Sequence, residues 1–177
     1  MTSLDRPAAQ HPYGKLPAAP AFALTSPDLT DGAPLLDEFA ADGGNVSPAL
    51  AWSGFPAATR SFVVSCFDPD APTPSGWWHW TVADIPSTVS SLDRGAGTHG
   101  GAHLPRGAFH VRNDDGEDGY TGAAPPRGDR EHRYVFAVHA LDLEETGLGP
   151  GASAAHVALV AVLHGIARAT LTATYHR

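Results

Sequence analysis

The chain has 177 residues, a length that fits one domain with a substantial buried core. Its 19 acidic and 11 basic residues give a formal net charge of -8, so nucleic acid and anionic membrane surfaces are poor candidates for its main partner. No stretch approaches the roughly 18 consecutive apolar residues of a membrane span, and the first residues lack the apolar core of a secretory signal. The single cysteine, Cys66, allows no disulfide within the chain, so a cytoplasmic protein is expected.

The first 20 residues are polar and rich in proline. They predict an extended N-terminal arm that is frayed, or that lies over the domain or a neighbouring subunit. Residues 21–177 are predicted to form a single domain. The 16 prolines and 19 glycines of the whole chain favour many turns over long helices.

Short apolar or alternating segments predict the strands, and residues 34–39 fit either a strand or an edge piece. The predicted strands cover residues 22–25, 34–39, 47–52, 61–67, 78–85, 132–141 and 171–175. Strict alternation in residues 78–85 would put Trp78, Trp80 and Val82 on one face and His79 on the other. Residues 86–112 read as a long glycine-rich connection of the kind that is usually functional or mobile.

One helix is expected late in the chain. It would begin after Gly151, with Ser153 as its N-cap, and end near Ala169. Several short strands with irregular loops and one late helix predict a mainly β fold, an all-β sandwich with a helical addition.

Residues 68–80, DPDAPTPSGWWHW, are the most unusual stretch of the chain. Its three prolines have no N–H to donate, so the preceding strand must end at Asp68 and a stiff loop must follow. Such a loop would hold Asp68, Asp70 and the aromatic side chains at the end of a rigid sheet, where binding and catalytic sites are commonly found.

A second loop, residues 113–130, is dense in glycine, proline and acidic residues and leads into a strand that opens with His132. If both loops lie at the same end of one sheet, His79 and His132 converge with a carboxylate between them, and two imidazoles facing one cavity can bind a small anion. The carboxylate would fix the tautomers of the imidazoles. Glycines could let backbone N–H groups approach the same anion; they are Gly119, Gly122 and Gly128.

Other chemistries are less well supported. The DPDAP sequence also fits an ordinary turn, and a histidine at the start of a strand is often no more than a satisfied polar group. The aspartates and histidines lack the close ligand spacing of common metal sites, and no GxSxG nucleophile motif occurs. The acidic residues 114–118 resemble half a calcium loop without its terminal Glu and are read as a surface turn. Cys66 and Trp80 are expected in the core, with Trp77 or Trp78 at the mouth of the site.

Three sequence blocks resemble the phosphatidylethanolamine-binding protein family: SPALAWSGFP at residues 47–56, DPDAPTPSGWWHWTVADIP at 68–86, and NDDGEDGYTGAAPPRGDREHRYVFAVHALD at 113–142. The C-terminal GASAAHVALVAVLHGIARATLTATY, residues 151–175, is similar to the bacterial Raf-kinase-inhibitor-like branch of that family. The resemblance covers nearly everything after Phe22.

The resemblance implies a Greek-key β-sandwich with one C-terminal α-helix and short helical pieces. It also implies a small pocket that takes phosphate-like head groups or small carboxylates, with no metal and no cofactor. Cis peptide bonds before Pro69 or Pro72 would fit the resemblance. Carried over residue by residue, the ligand-binding positions would be Asp68, Asp70, Ala71, Pro72, Trp77, His79, Gly122, Pro126, His132 and Tyr134.

The chain departs from the family pattern at two places. Ala123 follows Gly122 where the family often has proline, which would make this loop less stiff. Trp78 stands beside His79 where many relatives carry a second histidine, which leaves one donor fewer at the pocket.

Two functions follow from this reading. The first is a non-enzymatic module that binds a small anion or phosphorylated ligand, with a regulatory protein partner suggested by the family name alone and a homodimer allowed by the arm and the late helix. The alternative is an enzyme in which Asp68 and His132 perform acid–base chemistry on a small phosphorylated or carboxylated metabolite.

Overall fold

The computed structural model describes residues 4–177. Residues 1–3, the beginning of the predicted arm, lie outside the described part. Within that part the chain forms eight strands, one α-helix and three short 3₁₀ turns. The strands are β1 Ala23–Thr25, β2 Leu50–Ser53, β3 Ser61–Asp68, β4 Trp77–Pro86, β5 Ser91–Leu92, β6 Phe109–His110, β7 His132–Leu141 and β8 Gly165–Tyr175. The helix is α1 Ala154–Leu163, and the 3₁₀ turns are Pro12–Lys15, Asp37–Phe39 and His99–Gly101.

The strands form two antiparallel sheets. The larger has the order β6-β4-β3-β7-β8 and the smaller has the order β1-β2-β5. In the larger sheet β7 returns to the free side of β3 after the chain has passed through β4 and β6, which is the Greek-key arrangement. The mainly β prediction, including its two-sheet architecture, is therefore confirmed.

The main core lies between the two sheets. Trp52 of the smaller sheet meets Phe62 of the larger sheet edge-on, with ring centroids 5.4 Å apart. Cys66 and Trp80 are fully buried in the same core, as predicted. Burial raises the pKa of the Cys66 thiol, so this side chain behaves as a small apolar group.

A second apolar layer lies on the outer face of the larger sheet, where α1 packs. Val157 and Ala161 of the helix contact Val63 and Ala83 of the sheet. The hydroxyl of Ser153 accepts a hydrogen bond from the His156 N–H at 3.2 Å, so the predicted N-cap is confirmed.

The predicted end of the helix near Ala169 is wrong. The helix ends at Leu163, and β8 begins at Gly165 and pairs with β7 over almost its whole length. A Cβ at Gly165 would collide with the carbonyl oxygen of Ala161, so glycine permits the sharp change of direction there. The alternation of apolar and polar side chains after this glycine fits a half-buried strand better than a helix.

The predicted strand at residues 34–39 is an edge piece. It makes one isolated bridge, Pro34 to Thr174, before the Asp37–Phe39 turn.

The described part of the arm lies over its own domain. The Tyr13 ring packs edge-on against His139 of β7, at 5.4 Å between centroids, and the Arg168 guanidinium lies 4.3 Å from the centre of the same ring. The Arg168 N–H donates to the Pro20 carbonyl at 2.9 Å. The division of the chain at residue 20 stays a prediction.

Candidate functional site

A cavity of about 240 Å³ opens at the end of the larger sheet where β3 stops and β4 and β7 start. The two loops singled out in the sequence meet there, because β3 lies between β4 and β7 and runs antiparallel to both. The cavity is lined by Asp68, Ala71, Pro72, Thr73, Trp77, His79, Asp115, Ala124, Pro125, Pro126, His132 and Tyr134.

Asp68 fixes the shape of the first loop. One of its carboxylate oxygens, Oδ1, accepts hydrogen bonds from the backbone N–H groups of Asp70 at 2.7 Å and Ala71 at 3.0 Å. This is the turn that aspartate favours because its side chain bonds the backbone two residues ahead. The peptide bonds of residues 4–177 are all trans, so the cis bonds that the resemblance allows are absent here.

A β-bulge aims His79 into the cavity. Trp78 pairs with Phe67 and Trp80 pairs with Cys66, so His79 has no residue opposite it on β3. The extra residue reverses the alternation: Trp78 packs on Phe67 in the outer layer, while His79 packs against Tyr134 on the inner side. The predicted common face for Trp78 and Trp80 is therefore wrong.

The two nitrogens of His79 have different environments. Nδ1–H donates to the Thr121 carbonyl oxygen at 2.8 Å, which leaves Nε2 as the nitrogen available to a ligand. Burial lowers the pKa of His79. The neutral imidazole therefore offers the cavity an acceptor, which becomes a donor once the ring is protonated.

His132 lies between two carboxylates. Its Nδ1 contacts Oδ2 of Asp68 at 2.7 Å, and its Nε2 contacts Oδ2 of Asp129 at 2.9 Å. Burial favours the neutral ring, but the hydrogen bonds and charges of Asp68 and Asp129 outweigh it, so the pKa of His132 is raised. Both nitrogens donate when the ring is protonated, so the arrangement holds an imidazolium.

Arg6 of the arm completes this cluster. Its Nη1 and Nη2 contact the two oxygens of Asp129 at 2.9 and 2.8 Å, and its Nη2 also donates to the carbonyl oxygen of Asp70. The hydrogen bond to Arg6, aided by that to His132, holds the pKa of Asp129 well below its usual range. Two carboxylates and two cations thus form one compact cluster beside the cavity.

The hydroxyl of Tyr134 is buried next to the backbone of Ala124, whose N–H faces the phenol oxygen, and among residues 4–177 its own proton has no acceptor. Tyr134 is 1% exposed and lines the cavity. Burial raises the pKa of its phenol, so the hydroxyl keeps its proton and offers a donor. An unpaired buried hydroxyl costs about 1–3 kcal/mol, and an acceptor atom of a ligand would remove that cost.

Two of the ten predicted ligand-binding residues lie away from the cavity. Asp70 forms an ion pair with Arg133 at 2.7 Å and helps to attach the arm. The Gly122 N–H donates to Asn45 Oδ1 at 2.7 Å, and a Cβ at Gly122 would collide with the carbonyl oxygen of Phe39. Gly122 therefore permits a close backbone contact and is not part of the cavity wall.

The other eight predicted residues line one cavity, and their role in ligand binding stays a prediction. They are Asp68, Ala71, Pro72, Trp77, His79, Pro126, His132 and Tyr134. The sequence reading missed Thr73, Asp115, Ala124 and Pro125, which lie inside or beside the predicted loops. It also missed Asp129, whose place three residues before His132 was a usable signal, and Arg6, for which the local sequence offered none.

One group of side chains among residues 4–177 has ligand atoms close enough for a metal ion. His99, Glu117 and Asp118 have such atoms within 4.8 Å of one another, but all three are exposed and lie outside the cavity wall. Exposed groups of this kind are common without a metal, so we assign no metal site.

Fold and site together define a class of protein. It is a Greek-key β-sandwich whose larger sheet carries, at one end, a small cavity with two histidines, a buried aspartate and a buried tyrosine hydroxyl. The family model described as phosphatidylethanolamine-binding protein matches residues 25–176. The chain therefore belongs to the phosphatidylethanolamine-binding protein family.

Relatives from several organisms agree with this assignment. The UPF0098 protein YbhB of Escherichia coli is 47% identical over 157 residues, which are 86% of this chain and 98% of YbhB. The crystal structure of Escherichia coli YbcL, described as a new member of the mammalian PEBP family, superposes with a TM-score of 0.86 at 44% identity and covers 88% of this chain and 98% of YbcL. The homologue CT736 from Chlamydia trachomatis has a TM-score of 0.75 at 31% identity, over 90% of this chain and 99% of CT736.

No helix within residues 4–177 is both long and apolar enough to cross a membrane. A relative in Mycobacterium tuberculosis, 33% identical over 159 residues, carries a name, LppC, that describes a lipoprotein; these residues are 90% of this chain and 74% of LppC. The cytoplasmic location expected from the sequence therefore stays a prediction.

Proposed function

We propose that this protein binds a small anion, such as phosphate, a phosphorylated head group or a small carboxylate, in the cavity between the two loops. The observation that carries the proposal is the buried hydroxyl of Tyr134, whose proton finds no acceptor among residues 4–177. His132 lines the same cavity, and its raised pKa favours a cation there; His79 Nε2 adds a donor to an anion only when its ring takes up a proton. A negatively charged acceptor fits this set of groups better than a neutral one.

The size of the cavity supports a small ligand. Its volume of about 240 Å³ is below the roughly 300–1,000 Å³ of pockets for drug-sized molecules. Pro72, Pro126 and Trp77 give it stiff apolar walls. A head group or a small metabolite fits this volume, whereas a whole lipid does not.

Calorimetry with phosphate, acetate and phosphorylethanolamine tests the proposal. We expect saturable binding at millimolar ligand or below, with changes in the NMR signals of the His79 and His132 imidazoles. Absence of binding by the wild-type protein at millimolar concentrations of all three ligands would overturn it.

Replacing Tyr134 by phenylalanine should separate binding from folding. The substitution removes a hydroxyl whose proton has no acceptor among residues 4–177, so the free energy of unfolding should change little. A hydrogen bond to a charged group contributes about 1.5–3 kcal/mol, so we expect phosphate affinity to fall by about tenfold or more. Urea denaturation and calorimetry on the same sample measure both quantities.

Tyr120→Phe is the matched control for this prediction. The Tyr120 hydroxyl is also buried, but it donates to the Phe39 carbonyl at 2.8 Å and lies outside the cavity wall. We therefore expect the control to lose stability and to keep phosphate binding. Equal phosphate affinity of Tyr134→Phe and the wild-type protein would remove the main support for the proposal.

An acid–base enzyme is the second candidate. The specific observation in its favour is the 2.7 Å contact between Asp68 and His132 Nδ1, because a carboxylate in that position orients a histidine and raises its basicity. The contact of Nε2 with Asp129 argues the other way, since it stabilises the protonated ring. A screen of small phosphorylated and carboxylated metabolites that shows turnover, lost in His132→Gln, would favour the enzyme. A screen that stays at background while ligands bind would favour the binding module.

The kinase-inhibitor-like role and the protein partner rest on the family resemblance alone, and the homodimer rests on the arm and helix of the sequence. All three stay predictions. Size-exclusion chromatography with light scattering tests the homodimer directly.

A further inference from the structure

The nitrogen of His132 that a ligand would need is already bound to an anion of the protein itself. Its Nδ1 is bound to Asp68 at 2.7 Å, so Nε2 is the only nitrogen left for a ligand, and Asp129 Oδ2 contacts Nε2 at 2.9 Å. The proposed anion therefore competes with the Asp129 carboxylate for His132.

Asp129 is held mainly by other groups. Its Oδ1 accepts hydrogen bonds from Arg6 Nη1 at 2.9 Å and from the Arg130 N–H at 2.8 Å, and its Oδ2 accepts from Arg6 Nη2 at 2.8 Å. The contact with His132 is one of four hydrogen bonds that this carboxylate accepts. Asp129 can therefore release the imidazole by moving Oδ2 alone, while Oδ1 keeps its hydrogen bonds from Arg6 Nη1 and the Arg130 N–H.

The arm fixes Arg6 in this position. The Arg6 carbonyl oxygen accepts from Arg130 Nη1 at 3.0 Å, and Arg6 Nη2 donates to the Asp70 carbonyl oxygen. Three residues on, the Ala9 carbonyl oxygen accepts from Arg133 at 2.6 Å. The guanidinium is thus attached to both loops that form the cavity, and Asp129 has a fixed partner outside the cavity.

We propose that Asp129 is a gate at the anion site and that Arg6 is the positioning residue that opens it. A compact oxyanion takes the place of Asp129 Oδ2 at His132 Nε2, and Asp129 stays on Arg6 Nη1 through Oδ1. The gate also sets specificity, because a neutral hydroxyl has too little charge to displace a carboxylate from an imidazolium. This inference rests on the proposed function and assigns roles to two residues outside the cavity wall.

The first test measures phosphate affinity in Asp129→Asn. The carboxamide removes the competing charge, so we expect phosphate to bind about tenfold more tightly or better than to wild type. Asp115→Asn is the matched control: Asp115 also loses a charge, in the cavity wall itself, but its contact is with Trp77 Nε1 at 3.2 Å and not with His132. The gain in Asp129→Asn must exceed the gain in this control.

The second test is a double-mutant cycle with Arg6. In Arg6→Ala, Asp129 has only His132 as a charged partner, so phosphate binding should weaken about fivefold or more. Arg6 Nη2 also lies 3.4 Å from His132 Nε2 and attracts an anion there directly, so in the Asp129→Asn background Arg6→Ala should still weaken binding, but by clearly less than in the wild-type background. Arg127→Ala, which removes the same charge from an exposed side chain of the neighbouring loop, measures the effect of the lost charge alone. Arg6 lies on the N-terminal arm at the surface, so its replacement does not disturb the core.

The outcomes separate the gate from the proposed function. Tighter binding by Asp129→Asn with coupling to Arg6 supports both. Binding by wild type with no gain beyond the Asp115→Asn control overturns the gate alone. If Asp129→Asn binds phosphate and wild type does not, the gate is supported and the proposed function is overturned for the wild-type protein. If neither protein binds phosphate, both the gate and the proposed function are overturned. Glycerol serves as the neutral probe, and glycerol competing with phosphate would contradict the specificity.

Discussion

Replacing Asp68 by alanine is expected to destabilise the protein by about 3–5 kcal/mol, the range for removing one partner of a buried ion pair. The side chains of Asp68 and His132 are only 3% and 1% exposed and contact each other at 2.7 Å. The substitution leaves a buried imidazole facing Asp129 alone, and it also removes the acceptor for the Asp70 and Ala71 N–H groups. Urea denaturation measures the loss.

Asp115→Ala is the matched control, because Asp115 lines the same cavity but is exposed. We expect its effect to stay within about 0.5 kcal/mol, as is usual for surface positions. In a His132→Gln background, Asp68→Ala should reduce the free energy of unfolding only by the part that comes from the loop N–H groups. A loss below about 1 kcal/mol for Asp68→Ala in the wild-type background would contradict the ion-pair account of the site.

Most of the candidate site could be predicted from the sequence because its residues sit at strand ends. Proline and aspartate fix where β3 stops, and a histidine opens β7. That the two loops meet depends on β3 pairing with both β4 and β7, and strand order is a long-range property that no local pattern states. The resemblance to a known family supplied this missing step.

The orientation of His79 could not be predicted from the alternation of its strand. Period two is a rule of regular ladders, and a single bulge between Trp78 and Trp80 exchanges the faces on either side of it. Bulges are common beside functional sites, and this one turns the His79 side chain towards the cavity. The same bulge places Trp78 in the outer layer with Phe67.

The contribution of the arm could not be predicted from the sequence either. Arg6 is separated from Asp129 by 123 residues, and the sequence around it looks like a mobile terminus. Only the folded chain shows that its guanidinium bonds to both cavity loops. The predicted end of the late helix was wrong for a different reason: Ile166 continues the helical spacing of Val157 and Leu163, and the pairing of residues 165–175 with β7 ends the helix earlier.

His139 is expected to make the protein sensitive to mild acid. Its side chain is buried under the arm, with Nε2 3.3 Å from the Tyr13 hydroxyl, and burial, with the charge of Arg168, lowers its pKa to about 3. In the unfolded chain a histidine has a pKa of about 6.5. Between about pH 6.5 and about pH 3, His139 is protonated in the unfolded state but not in the folded state. The free energy of unfolding therefore falls as the pH falls, by up to about 1.4 kcal/mol per pH unit.

His132 acts in the opposite direction. Its folded pKa is raised, so its contribution to stability is complete below the unfolded value of about 6.5 and is lost as the pH rises through the folded pKa. The two histidines therefore affect the pH dependence of stability on opposite sides of neutral pH. Acid weakens the contact of the arm with the outer face of the sheet, whereas alkali weakens the ion cluster beside the cavity.

Replacing His139 by glutamine should remove most of the loss of stability that this histidine causes at low pH. Between pH 7 and pH 4 we expect wild type to lose about 3 kcal/mol more than His139→Gln, measured by urea denaturation at each pH. His156→Gln, which removes an exposed imidazole on α1, should follow the wild-type curve. Parallel curves for wild type and His139→Gln would show that His139 takes up its proton without unfolding, because the arm lifts away and admits water. The same sample would then show fast hydrogen exchange in the arm and an intact β7.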